Sequence, residues 1–331
     1  MQSFKALLIE EVDGKVSSAF ATLEEADLDL GAVTIRVAYS SVNYKDALAA
    51  TGAGKIIRRF PCIGGIDLSG TVIESTDSRF AAGDPVIATS FDIGVAHHGG
   101  YSEIARVPGD WVVPLPVGLS LFDAMALGTA GFTAALAVVR MEENRLAPEN
   151  GPVIVTGATG GVGSLAVDIL AKRGYHVVAL TGKESEADYL RGLGAAEVMP
   201  RSSLDLAKIR PLDKARWAGA VDNLGGDVLA WIASTMAQGG TIASIGLAAS
   251  MSLNTTVAPF ILRGVSLLGI DSGYIREPYR SGVWQRLASD MRPPHLSRMS
   301  RRIGFAELPA AFNEYVAGRA KGRVVVEIGG E

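Results

Sequence analysis

Pro152-Val-Ile-Val-Thr-Gly-Ala-Thr-Gly-Gly-Val-Gly163, continuing Ser-Leu-Ala-Val-Asp-Ile-Leu-Ala-Lys172, decides the fold. A short apolar run enters a glycine-rich turn, and the turn enters an amphipathic helix. That order is the dinucleotide-binding βα unit. Glycines let the backbone turn sharply and let a pyrophosphate approach the helix N-terminus, where unpaired N–H groups and the helix dipole favour negative charge. The G-x-G-x-x-G pattern is incomplete, because Ala158 stands where its first Gly would be and Gly160 and Gly163 complete it.

The following segment, Gly174-Tyr-His-Val-Val-Ala-Leu-Thr-Gly-Lys183, reads as a second parallel strand ending at Leu180. An NAD-binding unit usually carries Asp or Glu there to bond the ribose 2′-OH. Here Thr181, Gly182 and Lys183 follow instead. A carboxylate would repel a 2′-phosphate, whereas a hydroxyl and a cation hold one. Arg201 closes the next strand, Ala196 to Arg201, and can reach the same edge. Together these residues favour NADPH over NADH.

Length allows two domains: 331 residues, 48% hydrophobic and 20% charged, an ordinary globular mix. A net charge of −4 gives no reason to expect a nucleic-acid partner. The single cysteine, Cys62, excludes an internal disulfide and a cysteine-rich structural zinc site. The apolar run near Met1 is too short for a signal sequence. No stretch reads as long and apolar enough to span a membrane. The expectation is a cytoplasmic enzyme with no membrane partner.

Residues 1 to about 125 read as β-rich, with strand-like runs at 4–10, 33–39, 68–75, 85–89, 100–107 and 111–114 punctuated by Gly, Pro and Asp. From Phe122 the pattern turns helical and unusually rich in small residues. Residues 152 to about 272 then alternate strand and helix. Six strands, at 152–156, 176–180, 197–200, 219–223, 240–246 and 265–270, predict a doubly wound parallel sheet. A helix is expected at 282–291 and another at 306–317. The last strand, 322–328, has no place in a sheet already six strands wide and is expected to return to the N-terminal β-rich part. The expected division is 1–125 completed by 295–331, and 126–294.

This organisation resembles the medium-chain dehydrogenase/reductase superfamily over essentially the whole chain. The resemblance implies an α/β protein with a GroES-like β-rich catalytic domain and a Rossmann domain. Further segments narrow it: Ser41-Val-Asn-Tyr-Lys-Asp46, Gly52-Ala-Gly-Lys-Ile-Ile-Arg-Arg59, Gly64-Gly-Ile-Asp67, His98-Gly-Gly-Tyr101, Gly128-Thr-Ala-Gly131, Trp217 to Asp222 and Pro259 to Val265. This set is similar to the zinc-free, NADPH-dependent acrylyl-CoA reductases, long called quinone oxidoreductase-like. That branch implies hydride transfer to the β-carbon of acryloyl-CoA, then a proton to the α-carbon. It also implies that Tyr44, the turn Thr159, Gly160, Gly161 and Val162, Thr181 to Lys183, Arg201, Leu247, Ile261 and Ser272 line the cofactor, with Arg319 joining from the tail. Thr181 and Lys183 depart from the commoner Ser and Arg; both swaps keep a hydroxyl and a cation. A homodimer joined through 265–270 is the family-based expectation.

The remaining candidates carry alternatives. Cys62 is alone and His97-His98 are adjacent, a pattern that tends to point the rings apart, so no metal is expected. Without a Lewis acid, an alkene already activated by a thioester or quinone carbonyl is the better hydride acceptor. The Tyr44 hydroxyl either bonds the ribose or relays a proton, or the ring only packs against the cofactor. Asp46 is expected to fix backbone. The cations Lys55, Arg58 and Arg59 are either a solvated run or a seat for coenzyme A phosphates. The same choice applies to Arg319, Lys321 and Arg323. Asp222-Asn223 either lines the nicotinamide side or forms an Asx turn at a strand end. Three functions stay open: an acyl-CoA reductase, a quinone reductase, and a non-catalytic NADPH-binding protein.

Overall fold

The computed structural model describes residues 3–329. It opens with an antiparallel hairpin of β1 (Ser3–Val12) and β2 (Lys15–Glu24). The register pairs Val12 with Lys15, so Asp13-Gly14 is a two-residue loop. Both loop residues have positive φ, 52° and 72°, the requirement of a type I′ turn and the reason Asp-Gly marks hairpins. The sequence reading has no strand at β2, because its side chains alternate between exposed and half-buried and form no apolar run.

The rest of the β-rich part comprises β3 (Val33–Val42), β4 (Cys62–Ile63), β5 (Asp67–Ser75), β6 (Pro85–Thr89), β7 (Ile104–Val107) and β8 (Val112–Pro114). Nine of the ten residues of β3 are buried. It is central, pairing with both β5 and β7, and Val33, Ile35, Val37, Leu68, Val86 and Val107 close one core around it. Helix α1 (Tyr44–Thr51) follows β3 directly.

Helix α2 (Leu121–Glu143) is broken at Gly128, whose φ of 51° and ψ of −155° are not helical. This helix corrects the membrane expectation: by length and composition it could span a bilayer. Most of it is instead buried in protein, and small residues let it pack there.

In the second part, β9 (Val153–Thr156), β10 (Val177–Thr181), β11 (Glu197–Pro200), β12 (Trp217–Asp222), β13 (Met236–Ser244) and β14 (Ser266–Gly269) form one sheet. The order is β11-β10-β9-β12-β13-β14 and every pairing is parallel. In sequence rank this is 3-2-1-4-5-6, the Rossmann order. Ile154, Val178, Leu180, Ala220 and Ile242 pack against Val228, Leu229 and Ile232 of the helix Gly226–Thr235. Each fully buried side chain of this kind contributes about 1.5–3 kcal/mol.

The tail returns as expected. Strand β15 (Ser300–Gly304) pairs with β16 (Arg323–Glu327), and β16 lies antiparallel on β3. The β-rich sheet therefore runs β15-β16-β3-β5-β6-β8. By contacts the chain divides into one unit of residues up to Thr129, 273–288 and 296 onward, and a second of 130–272 and 289–295. The segment 273–288, placed with the nucleotide-binding part by the sequence reading, goes with the first unit. The reason is Arg280, which is buried and donates to Thr89 O and Oγ1 at 3.3 and 3.0 Å.

Candidate functional sites

In the second unit, β9 runs into the turn 157–160 and helix α3 (Gly161–Lys172). Gly157 holds φ at 57°, and its carbonyl accepts the Gly160 N–H at 3.0 Å. The left-handed residue is thus Gly157, so the Ala at 158 is no obstacle to the turn. Gly163 is needed for a different reason: a Cβ there would lie 2.3 Å from Gly157 O and 2.7 Å from Ala158 Cα. Gly160 caps α3 without a side chain. The first N–H groups of a helix have no partner within it, so this end forms a cradle for a phosphate.

The adenosine edge is set by register. Thr181 pairs with Pro200 across β10 and β11, which makes Gly182 and Arg201 neighbours. A Cβ on Gly182 would lie 3.7 Å from Arg201 Cζ and Nε, so the guanidinium stands over that residue. Thr181 Oγ1 accepts the Lys183 N–H at 2.9 Å, which curls the loop so that Lys183 follows on the same edge. The nearby acid Glu184 accepts the Ser202 hydroxyl at 2.7 Å. The residues present fit a nucleotide with a 2′-phosphate.

At the point where the strand order reverses, Asp222 is fully buried. It accepts Thr156 Oγ1 at 2.8 Å and the N–H groups of Leu224 and Gly225 at 3.3 and 2.8 Å. Burial pushes its carboxyl up. Asn223 Nδ2 donates to Thr156 O at 2.7 Å. The pair staples β9 to β12 as an Asx turn. Leu247 and Ile261 are exposed, and Ser272 Oγ accepts the Thr133 hydroxyl at 2.7 Å. A cavity of about 660 Å³ lies at the amino ends of β12, β13 and β14, opposite the cradle.

In the first unit, Tyr44 is the first residue of α1 and is 52% exposed. Asn43 caps the helix, and its N–H and Nδ2 donate to Asp46 Oδ2 at 2.9 and 3.1 Å. Asp46 Oδ1 accepts the Ile66 N–H at 3.0 Å. Burial first, and then the charge of Asp67, push the Asp46 carboxyl up to about 7.

Beneath this segment lies a buried polar network. Asp67 accepts from Ser41 Oγ at 2.6 Å, from Asn43 Nδ2 at 2.8 Å and from Thr129 Oγ1 at 2.5 Å. Arg323, 1% exposed, donates to Asn43 Oδ1 at 3.1 Å, Ser41 Oγ at 2.8 Å and Ala126 O at 3.0 Å. Its Nη2 stands 3.9 Å from Asp67 Oδ2. Gly128 completes the fit, because a Cβ there would lie 2.6 Å from Asp67 Oδ2 and 2.7 Å from Arg323 Nη2.

This placement corrects the reading of Arg323 as a surface cation. The residue begins a strand whose Val-Val-Val run is buried, and it is drawn in with that run. Arg319 and Lys321 are exposed on the same unit. Sequence reasoning missed Asp67 as a partner, although a carboxylate opening an apolar strand was a visible signal.

Lys55 is exposed, while Arg58 pairs with Asp92 and Arg59 pairs with Asp29 at 2.5 Å. His97 and His98 do not diverge: both Nδ1 atoms lie near Asp29, at 3.9 and 4.0 Å. His98 Nδ1 accepts the Ile63 N–H at 3.0 Å, and burial holds its pKa below the usual histidine range. Burial pushes the Cys62 thiol up to about 12, which leaves it inert. Among the described residues no three His, Cys, Asp or Glu side chains gather to hold a metal. The residues present do not fit a zinc site.

Comparison with known proteins agrees with this architecture. Residues 29–117 match the alcohol dehydrogenase GroES-like domain, and 161–289 match the zinc-binding dehydrogenase domain. YhfP of Bacillus subtilis, provisionally named a quinone oxidoreductase, is 51% identical over 98% of this chain and 99% of its own. Its structure with NAD bound superposes with a TM-score of 0.96. The acrylyl-CoA reductase AcuI of Ruegeria pomeroyi is 46% identical, covering 98% of this chain and 99% of its own. The YhdH oxidoreductase of Salmonella enterica, crystallised with NADP, is 47% identical, covers 98% of this chain and 99% of its own, and superposes with a TM-score of 0.95.

Proposed function

Because the chain belongs to the medium-chain dehydrogenase/reductase family, we propose that it reduces the 2,3 double bond of acryloyl-CoA to propanoyl-CoA with NADPH. The observation that carries the reading is the adenosine edge: Arg201 stands over Gly182 beside Thr181 and Lys183, and no carboxylate ends β10. Full-length similarity to an acrylyl-CoA reductase supports the choice of substrate.

NADPH, when bound, supplies the hydride that goes to the β-carbon. The chain's own residues hold and orient. Residues 159–162 take the pyrophosphate at the start of α3, and Thr181, Lys183 and Arg201 take the 2′-phosphate. Leu247, Ile261 and Ser272 bound the nicotinamide side. Tyr44 is the side chain of the first unit assigned to the cofactor by the family resemblance. The residue before it, Asn43, is held by Asp67 and Arg323, which anchors the start of α1. Hydride addition leaves an enolate, and the α-carbon takes a proton from water or from the Tyr44 hydroxyl. The substrate is activated by its own thioester, so positioning supplies the rate.

The assembly we propose is a cytoplasmic homodimer. Strand β14 ends its sheet, and Val257, Leu262 and Leu267 around it are exposed, which suits pairing with a second copy. Sedimentation showing only monomer at micromolar concentration would remove this.

The test of function is steady-state NADPH oxidation with acryloyl-CoA, crotonyl-CoA and a benzoquinone. Turnover of acryloyl-CoA well above the quinone is expected. Preference for the quinone would assign the chain to quinone reduction, the activity in YhfP's name. Binding of NADPH without turnover of any of the three would make it a binding protein.

A further inference from the structure

Tyr274 is 51% exposed, yet it is held more firmly than an exposed tyrosine requires. Its hydroxyl accepts from Arg58 Nη2 at 3.1 Å and donates to Asp92 Oδ1 at 2.8 Å. Its neighbours in the chain are clamped from below. Arg280 Nη2 donates to Gly273 O at 3.3 Å, and Nε donates to Ile275 O at 2.8 Å. Gly273 O also accepts the Phe91 N–H at 3.0 Å. The guanidinium of Arg280 lies 4.4 Å from the Phe91 ring centre, and Phe91 stacks on Trp111 at 5.4 Å with a 7° angle between planes. Phe91 also meets the Tyr274 ring edge-on at 6.2 Å.

The support is strained. Ser90 and Phe91 hold φ at 67° and 51°, a region that L side chains rarely adopt and that persists only where packing imposes it. Such strain beneath one exposed ring marks a built surface rather than a loose loop.

The chemistry of that surface is narrow. Both polar functions of the Tyr274 hydroxyl are engaged, so the residue offers a ring face and no proton. The Arg58 guanidinium is balanced by Asp92, so the pair beside the Tyr274 hydroxyl carries little net charge. A phosphate would meet Asp92 as well as Arg58, whereas a neutral planar base stacks on both the ring and the guanidinium. Lys55, three residues before Arg58 in the chain, is exposed and carries the positive charge that phosphates seek.

We infer that Tyr274 and Arg58 form the seat of the adenine ring of coenzyme A, with Lys55 toward its phosphates. This rests on the acryloyl-CoA reading and narrows the cationic loop to separate duties. It makes Tyr274 and Arg58 specificity residues for the carrier, with no part in the hydride step.

The test compares acryloyl-CoA with S-acryloyl-N-acetylcysteamine, a thioester without a nucleotide, in wild type, Tyr274→Ala and Tyr274→Phe. Tyr274→Ala should raise KM for acryloyl-CoA about tenfold. The short thioester's KM, the NADPH KM and kcat should stay the same. Tyr274→Phe keeps the ring and should stay within about threefold of wild type. Adenosine 3′,5′-bisphosphate should compete with acryloyl-CoA in wild type and lose that competition in Tyr274→Ala. An equal rise for both thioesters, a rise in the NADPH KM, or no rise at all would each overturn the inference. If wild type reduces neither thioester, the proposed function fails by itself. Direct titration with adenosine 3′,5′-bisphosphate then decides the seat: Tyr274-dependent binding upholds it, and its absence overturns it.

Discussion

The two units build their proposed sites from opposite materials. In the second unit the site is mostly backbone: a left-handed Gly157, a Gly163 with no room for a Cβ, and a helix end, with Lys183 and Arg201 added at the rim. In the first unit the proposed site is a single exposed ring, Tyr44, whose preceding residue Asn43 joins a buried network of Arg323, Asp67 and Asp46. A rim cation can be removed with a local loss of affinity. A buried charge cannot be removed without leaving its partner uncompensated. The contrast teaches where substitutions should be read as binding effects and where as stability effects.

The sharpest way to break this comparison is Arg323→Met. It leaves Asp67 buried without its cation and should destabilise the protein by about 3–5 kcal/mol, measured by denaturant unfolding. The double substitution Arg323→Met with Asp67→Asn should lose less than Arg323→Met alone. A single variant as stable as wild type would show that the pair is not coupled.

The network should also show in the pH dependence of stability. Asp46 is pushed from its ordinary 3.8 up to about 7 in the folded protein. The native state therefore holds this proton more tightly than the unfolded chain does. Its contribution is fully present below about pH 4 and is lost as pH rises through about 7, on the order of 4 kcal/mol in all. His98 works in the opposite sense. Its folded pKa is depressed by burial, so its contribution is present above about pH 6.5 and is lost as pH falls below that. Denaturation midpoints taken across this range should show Asp46→Asn removing the loss between about pH 4 and 7 while the loss attached to His98 remains. An unchanged profile in Asp46→Asn would mean that its carboxyl stays ionised throughout.

At the rim of the second unit the expected effect is smaller and confined to binding. A charge-assisted bond contributes about 1.5–3 kcal/mol, or roughly one to two decades in affinity. Lys183→Ala should raise KM for NADPH by about that factor and leave KM for NADH nearly unchanged. Equal effects on both cofactors would show that Lys183 does not read the 2′-phosphate.

Smallest is Tyr44→Phe. The ring stays in place and water remains able to protonate the enolate, so turnover should fall by less than the roughly 10²–10⁴-fold that a positioned general acid supplies. Tyr44→Ala should lose more. A fall of about three decades in Tyr44→Phe with unchanged NADPH affinity would make the hydroxyl the proton donor.

The contrast between the units also explains what could be read from the chain. The Rossmann half was legible almost strand by strand, because buried parallel strands are apolar runs and the turn between β9 and α3 is written in glycines. The return of β16 to the first unit followed from a strand count. The network was not legible, because its members lie 41–46, 67, 129 and 323 along the chain, and the pairing of β3 with both β5 and β16 is needed to bring 41, 67 and 323 together. Arg323 looked like one more terminal cation. The aromatic support under Tyr274 was hidden for the same reason, being assembled from 89–92, 111 and 273–280. Helix α2 misled by composition: many small residues disguised a run long and apolar enough to cross a bilayer.

The glycine at 128 has a historical consequence. Any side chain there would intrude on Asp67 and Arg323 at once, so the position is not free to drift while both charges are in place. A lineage could acquire a larger residue at 128 only after the charged pair had been replaced by smaller or apolar groups, and a lineage that had filled 128 could not regain the pair. The order of substitutions is therefore constrained. Grafting 128 from a relative with a different pair should fail singly and succeed only when all three positions travel together.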